Sequence, residues 1–188
     1  MEKIKFTKGN WENKFNYSRS YRFPQAVSFK QEEDCIANEV SKEFEDGFEY
    51  INIFTKDKYS KGRKFTLTTS FESCGAPMLC LAESLDKGQN GILYHGFYYE
   101  IVIYNEGINV WKHYQVNGKP NWHLLATLYT ELEAGVKHSF SVELLEDGMN
   151  ISVKNQKLYL HIDGFESEFY LGAGVCEQIN RLYELTIE

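Results

Sequence analysis

Residues 98 to 114, Tyr-Tyr-Glu-Ile-Val-Ile-Tyr-Asn-Glu-Gly-Ile-Asn-Val-Trp-Lys-His-Tyr, constrain the fold more than any other stretch of the chain. Two runs of alternating residues flank Asn105-Glu106-Gly107, where Gly107 can take the positive φ of a tight turn. With Glu106 and Gly107 as the loop, Tyr104 pairs with Asn109, Val102 with Trp111, and Glu100 with His113. The two-residue period of a strand places Tyr98, Glu100, Val102, Tyr104, Asn109, Trp111 and His113 on one face. Ile101, Ile103, Ile108 and Val110 fall on the other. An aliphatic face predicts a core, and a face of aromatic and polar groups predicts a surface that meets a ligand.

Short strand-like segments with turns between them fill most of the chain. Cys35–Val40, Phe48–Phe54, Phe65–Phe71, Met78–Glu83, Trp122–Tyr129, Val136–Leu144, Met149–Lys154 and Leu182–Ile187 all read as strands. Val116-Asn-Gly-Lys-Pro120 and Glu146-Asp-Gly148 read as turns. In the last strand Tyr183, Leu185 and Ile187 are expected to point inward. The basic stretch Lys56–Lys64 reads as a solvated loop. Between Ser167 and Arg181, Gly172 and Gly174 oppose a helix. With 188 residues, 43% of them hydrophobic, the chain can build one sizeable core without metal or disulfide support. The expectation is one domain over residues 1–188, all-β, a two-sheet antiparallel β-sandwich.

Charge and cysteine usage narrow the classes of function. A net charge of −7 opposes nucleic acid and anionic membrane as partners, because both require a basic patch. No apolar run is long enough to span a membrane, and Met1–Trp11 has no secretory h-region, so a cytoplasmic location is expected. Cys35, Cys74, Cys80 and Cys176 show no zinc-type spacing and read as reduced thiols; neither a metal nor a cofactor is expected.

Several elements of the second half resemble the concanavalin A-like lectin and glucanase jelly roll, in the style of laminin-G-like domains. They are Gly91-Ile-Leu-Tyr94, Tyr99–Tyr104, Gly107–His113, Leu132–His138, Met149–Val153, Gly172-Ala-Gly-Val175 and Ile179–Leu185. The resemblance covers about residues 91 to 188 and implies a jelly-roll sandwich. Its members bind sugars, hydrolyse them or bind proteins, so it leaves the activity open. The glucanase signature Glu-x-Asp-x-x-Glu is absent, and its nearest echo is Glu43-Phe-Glu-Asp-Gly-Phe-Glu49. The galactoside pattern His-x-Asn-x-Arg and the acidic metal loop of legume lectins are absent too.

The hairpin then supplies the site candidates. A pyranose needs a flat ring for its C–H face and planar polar groups for its hydroxyls. Trp111 as platform, with Tyr98, Glu100, Tyr104, Asn109 and His113 around it, meets that need on a concave sheet face, so an oligo- or polysaccharide is the expected partner. Glu100 and His113 are the candidates for acid–base chemistry. A glycosidase needs a second carboxyl group, roughly 5–5.5 Å or 6.5–9.5 Å from the first, and Glu72, Glu83 and Glu184 are possible sources. A protein-interaction module is the third reading. His123, His138 and His161 read as surface or satisfied sheet residues, His95 as a loop residue beside the site, and Trp11 and Trp122 as anchors of the core or a terminal segment.

Overall fold

The structure, a computed structural model, describes residues 1–24, 27–39 and 49–188. Among them there is no helix. Seventeen strands follow in order: β1 (Glu2–Lys5), β2 (Phe15–Ser20), β3 (Lys30–Gln31), β4 (Ile36–Ala37), β5 (Ile51–Ser60), β6 (Lys64–Phe71) and β7 (Pro77–Ala82). The next are β8 (Asp86–Lys87), β9 (Leu93–His95), β10 (Tyr98–Tyr104), β11 (Gly107–Val116) and β12 (Lys119–Tyr129). The last are β13 (His138–Leu144), β14 (Gly148–Val153), β15 (Gln156–His161), β16 (Glu168–Val175) and β17 (Asn180–Ile187).

They form two sheets. One runs β15-β14-β13-β6-β17-β4-β3, with β1 also paired to β17; the other runs β12-β11-β10-β7-β16-β5-β2-β9-β8. All pairings are antiparallel except β2 with β9. The inner faces meet in one apolar cluster that takes Phe65, Leu67 and Phe140 from the first sheet and Leu79, Ile101, Ile108 and Leu171 from the second. This is the sandwich that alternating patterning demands, since each strand buries one face.

Local differences from the sequence reading have local causes. The hairpin turn is Asn105–Glu106, so Tyr104 pairs with Gly107 and Glu100 with Trp111 rather than with His113. Gly107 therefore lies in the strand, at φ +142°, where a Cβ would sit 2.0 Å from the Leu128 carbonyl of β12. The slip is two residues, and two is the period of a strand, so every side chain keeps its face. In β17 a bulge between Leu182 and Glu184 turns Tyr183 outward, while Leu182, Leu185 and Ile187 stay buried. The expected basic loop is mostly strand, because β5 continues to Ser60 and β6 starts at Lys64. Val136 lies outside β13 and is exposed. Val40, Phe48 and most of the Glu43–Glu49 echo lie outside the described residues. The strand β15 was not anticipated; Lys154, at φ 52°, turns the chain into it.

Candidate functional site

The second sheet carries another apolar cluster on its outer face, the one turned away from the core. Tyr50, Phe54, Met78, Cys80, Ala82, Tyr98, Val102 and Cys176 are buried there, with Trp111 and Phe23 packed against them. Gly174 permits this packing at one point: a Cβ on it would lie 2.0 Å from Asn52 Oδ1. Polar groups sit within the cluster. Glu100, 7% exposed, projects from β10 between Cys80 on β7 and Trp111 on β11. The Tyr50 hydroxyl donates a short hydrogen bond to Glu100 Oε2. Behind it, Tyr98 Oη lies 2.9 Å from Tyr50 Oη and 3.2 Å from Ser20 Oγ.

His113 Nε2 is 3.3 Å from Glu100 Oε2 but is not aligned for a hydrogen bond. Its ring stacks on Tyr98, with centroids 4.2 Å apart and planes 8° from parallel. Beneath Tyr98 lies His95, fully buried, its Nδ1 held by Ser18 Oγ at 2.9 Å. Burial, and next the neighbouring His113, lower the His95 pKa to about 3, so its imidazole is neutral. Burial, and next the Glu100 charge, push the Tyr50, Tyr98 and Cys80 groups well above their ordinary ranges. All three stay protonated at neutral pH, which keeps Tyr50 a donor to Glu100.

Above this floor opens a cleft of about 280 Å³. Glu100, Tyr104, Asn109, Trp111 and His113 line it, so five of the six hairpin residues singled out as ligand contacts share one cavity. Tyr98 does not; it is 1% exposed and lies under the floor. Asn109 Oδ1 accepts from Thr127 Oγ1 at 2.8 Å, which orients its amide nitrogen. The far wall comes from parts of the chain that sequence reasoning passed over. Trp122 on β12 is 45% exposed and lines the cleft rather than anchoring a core. Arg22, in the segment after β2, lays its guanidinium on the Trp122 ring at 3.5 Å from the centroid and near Phe23 at 4.6 Å. The strands β2 and β12 are far apart in sheet order, so only the folded chain brings Arg22 and Trp122 together.

The second carboxylate lining the cleft is Glu177, just after β16. The three acids considered from sequence do not line it. Glu72 binds Arg181 at 2.9 Å, Glu184 faces Lys3 at 3.4 Å, and Glu83 accepts from the Glu166 amide at 3.1 Å. The outward positions of β7 beside Glu100 are Met78, Cys80 and Ala82, none of them acidic. Among the other histidines, His138 is held by the Glu133 carbonyl at 2.8 Å, His161 pairs with Asp163 at 3.1 Å, and His123 lines a separate groove beside Phe97 and Lys112. Trp11 is a core anchor as expected, donating from Nε1 to Gln31 Oε1 at 3.0 Å. The four cysteines are free thiols, and no group of three or more metal-ligating side chains occurs among the described residues.

No family model and no curated protein matches the sequence. Solved structures do match the fold. A family 16 glycoside hydrolase from Bacteroides ovatus, solved with a G4G4G3G product, has a TM-score of 0.62 at 14% identity, over 100% of this chain and 99% of its own. A legume lectin-like domain from Entamoeba histolytica has a TM-score of 0.59 at 14% identity, over 98% and 96%. The carbohydrate binding module CBM66 from Bacillus subtilis has a TM-score of 0.54 at 13% identity, over 82% and 91%. The chain folds as a concanavalin A-like jelly roll.

Proposed function

We propose that this protein binds carbohydrate in the outer-face cleft, with Trp111 and Trp122 as ring platforms and Glu100, Asn109, Tyr104 and His113 as partners for hydroxyl groups. The observation that carries this reading is the pairing of two accessible indole rings with a fixed carboxylate in one small cavity. Indole faces are electron-rich and attract the slightly positive C–H groups of a pyranose. A carboxylate already held by Tyr50 still has lone pairs for a sugar hydroxyl, and its direction is set before the ligand arrives. The neighbours of this fold include a carbohydrate-binding module, a lectin-like domain and a family 16 glycoside hydrolase in complex with a G4G4G3G product, which agrees with that reading.

Hydrolysis is the alternative, favoured by one observation: Glu177 lines the same cleft as Glu100 and is the only other carboxylate there among the described residues. A single experiment separates the readings. A glycan array, followed by calorimetry on the best hit, is run on the native protein and on Trp111→Ala, Trp122→Ala and Glu100→Gln. Each Trp variant is expected to weaken binding about tenfold or more, ~1.4 kcal/mol. Tyr159→Ala, on the other sheet, leaves binding unchanged. Bound glycan recovered intact supports binding alone. Cleavage that disappears in both Glu100→Gln and Glu177→Gln would establish the hydrolase. Undiminished affinity in Trp111→Ala removes the platform.

A further inference from the structure

The outward side chains of the edge strand β12 carry the surface of the cleft further along the sheet. Trp122 lies opposite His113, Leu124 opposite Trp111, Thr127 opposite Asn109 and Tyr129 opposite Gly107, which is itself paired with Tyr104 on β10. Positions 124 and 127 differ in parity, so a regular strand would turn one of them toward the core. A bulge at Leu125 absorbs the extra residue, and Leu125 packs against the core. Trp122, Leu124, Thr127 and Tyr129 therefore all share the outer face. Leu124 is 40% exposed there and Tyr129 74%. Bare apolar side chains on an edge strand are a liability that proteins remove unless the surface is used.

The strip has an order. Trp111 and Trp122 stand at the end that borders the cleft. Asn109 and Thr127 make a hydrogen-bonded polar pair in the middle, at 2.8 Å, and the Asn109 Nδ2 has no hydrogen bond among the described residues. Tyr104 and Tyr129 stand at the far end, and Gly107 between them bears no side chain to part the rings. From the level of Trp122 to that of Tyr129 is the run from His113 to Gly107, about 20 Å at the rise of a strand. The cleft, about 280 Å³, suits little more than one sugar unit, whereas the strip is several rings long. No outer position of β11 or β12 is Asp, Glu, Lys or Arg, in a chain with 25% charged residues. An uncharged chain of sugars matches that surface: its rings offer C–H faces to Trp and Tyr, and its hydroxyls meet Asn109. The bulge and Pro120 oppose the addition of another strand at this edge, so an occupant lies on the face.

We propose that the Trp111 cleft is one end of a platform along β11 and β12, which binds several consecutive units of an uncharged polysaccharide with Leu124, Tyr104 and Tyr129 as contacts beyond the cleft. The inference rests on the carbohydrate reading and adds the length and charge class of the ligand. Its test begins with affinity electrophoresis of the whole chain through gels of mixed-linkage glucan, laminarin, galactomannan, xylan and, as the acidic arm, polygalacturonate. One-, two- and four-unit oligomers of the polysaccharide that retards the chain most then enter ¹H–¹⁵N titrations. A neutral polysaccharide is expected to retard the chain, affinity to rise about tenfold from one unit to four, and amide shifts to spread from residues 111–113 to 104–109 and 127–129. Tyr129→Ala and Leu124→Ser, both at exposed sites outside the core, should weaken the four-unit oligomer fivefold or more and leave the single unit unchanged. Trp111→Ala should weaken both. Retardation by polygalacturonate alone, affinity that does not grow with length, or undiminished four-unit binding in Tyr129→Ala would each overturn the platform. So would a dimer in sedimentation that Tyr129→Ala dissolves, because the strip would then be an interface between copies. A single unit that binds, is lost in Trp111→Ala and gains nothing on lengthening leaves the proposed function standing without the platform; no retardation and no titration remove both.

Discussion

Glu100 shows how one buried charge organises its surroundings. An ionised carboxylate only accepts hydrogen bonds, so Tyr50 must donate to it. Tyr50 then accepts from Tyr98, and Tyr98 from Ser20, whose oxygen also takes the Arg22 amide at 3.1 Å. The chain of hydroxyls is polarised in one direction, from the segment that carries Arg22 to the floor of the cleft, and each bond strengthens the next. Replacing Tyr50 with Phe keeps the ring and removes the donor. The expected cost is about 1–3 kcal/mol, because the buried carboxylate loses its charge-assisted partner. Urea unfolding should show a lower midpoint with an unchanged slope. An unchanged midpoint would mean that solvent in the cleft replaces the Tyr50 hydroxyl at no cost.

At the scale of the hairpin, what the sequence could say followed from parity. The period of two assigned Glu100, Asn109, Trp111 and His113 to one face and Ile101, Ile103, Ile108 and Val110 to the other, and both assignments agree with the structure. Register depended instead on which residues form the turn, and Gly107 drew attention as a loop residue. Its positive φ serves the strand, where the Leu128 carbonyl of β12 fills the space a side chain would need. Gly107→Ala should therefore destabilise the protein by ~2 kcal/mol or more, by backbone strain added to that clash. Hydrogen exchange should report faster opening at β11 and β12 than at β13 and β14. Uniform opening would show that the hairpin does not yield as a unit. Trp122 was not legible as a cleft residue. Its exposure depends on β12 lying at the sheet edge, and its partner Arg22 is 100 residues away in sequence. Tyr183 was misplaced for a related reason, since a bulge resets the alternation and leaves no local signature.

For the molecule as a whole, the second sheet is covered on both faces: the shared core lies on one, and the cluster around Tyr98 and Phe54 on the other. Titratable groups inside these clusters must be held uncharged or paired, and His95 is the clearest case. It lies between Phe54 and Tyr98, at 4.8 and 4.6 Å between centroids, with no exposed surface. Its pKa falls from the ordinary 6.5 to about 3 on folding. Between those values the unfolded chain takes up a proton that the folded chain refuses, so this contribution to stability is complete above about pH 6.5 and is lost as the pH falls toward 3. One proton changes the slope of stability against pH by at most about 1.4 kcal/mol per unit. His95→Gln retains an amide for Ser18 and cannot titrate. Between pH 4 and 6 its unfolding free energy should fall less steeply than that of the native protein, by up to that amount per unit. Coincident slopes would assign the acid sensitivity to the carboxylates instead, and would mean that His95 takes up its proton inside the folded sheet.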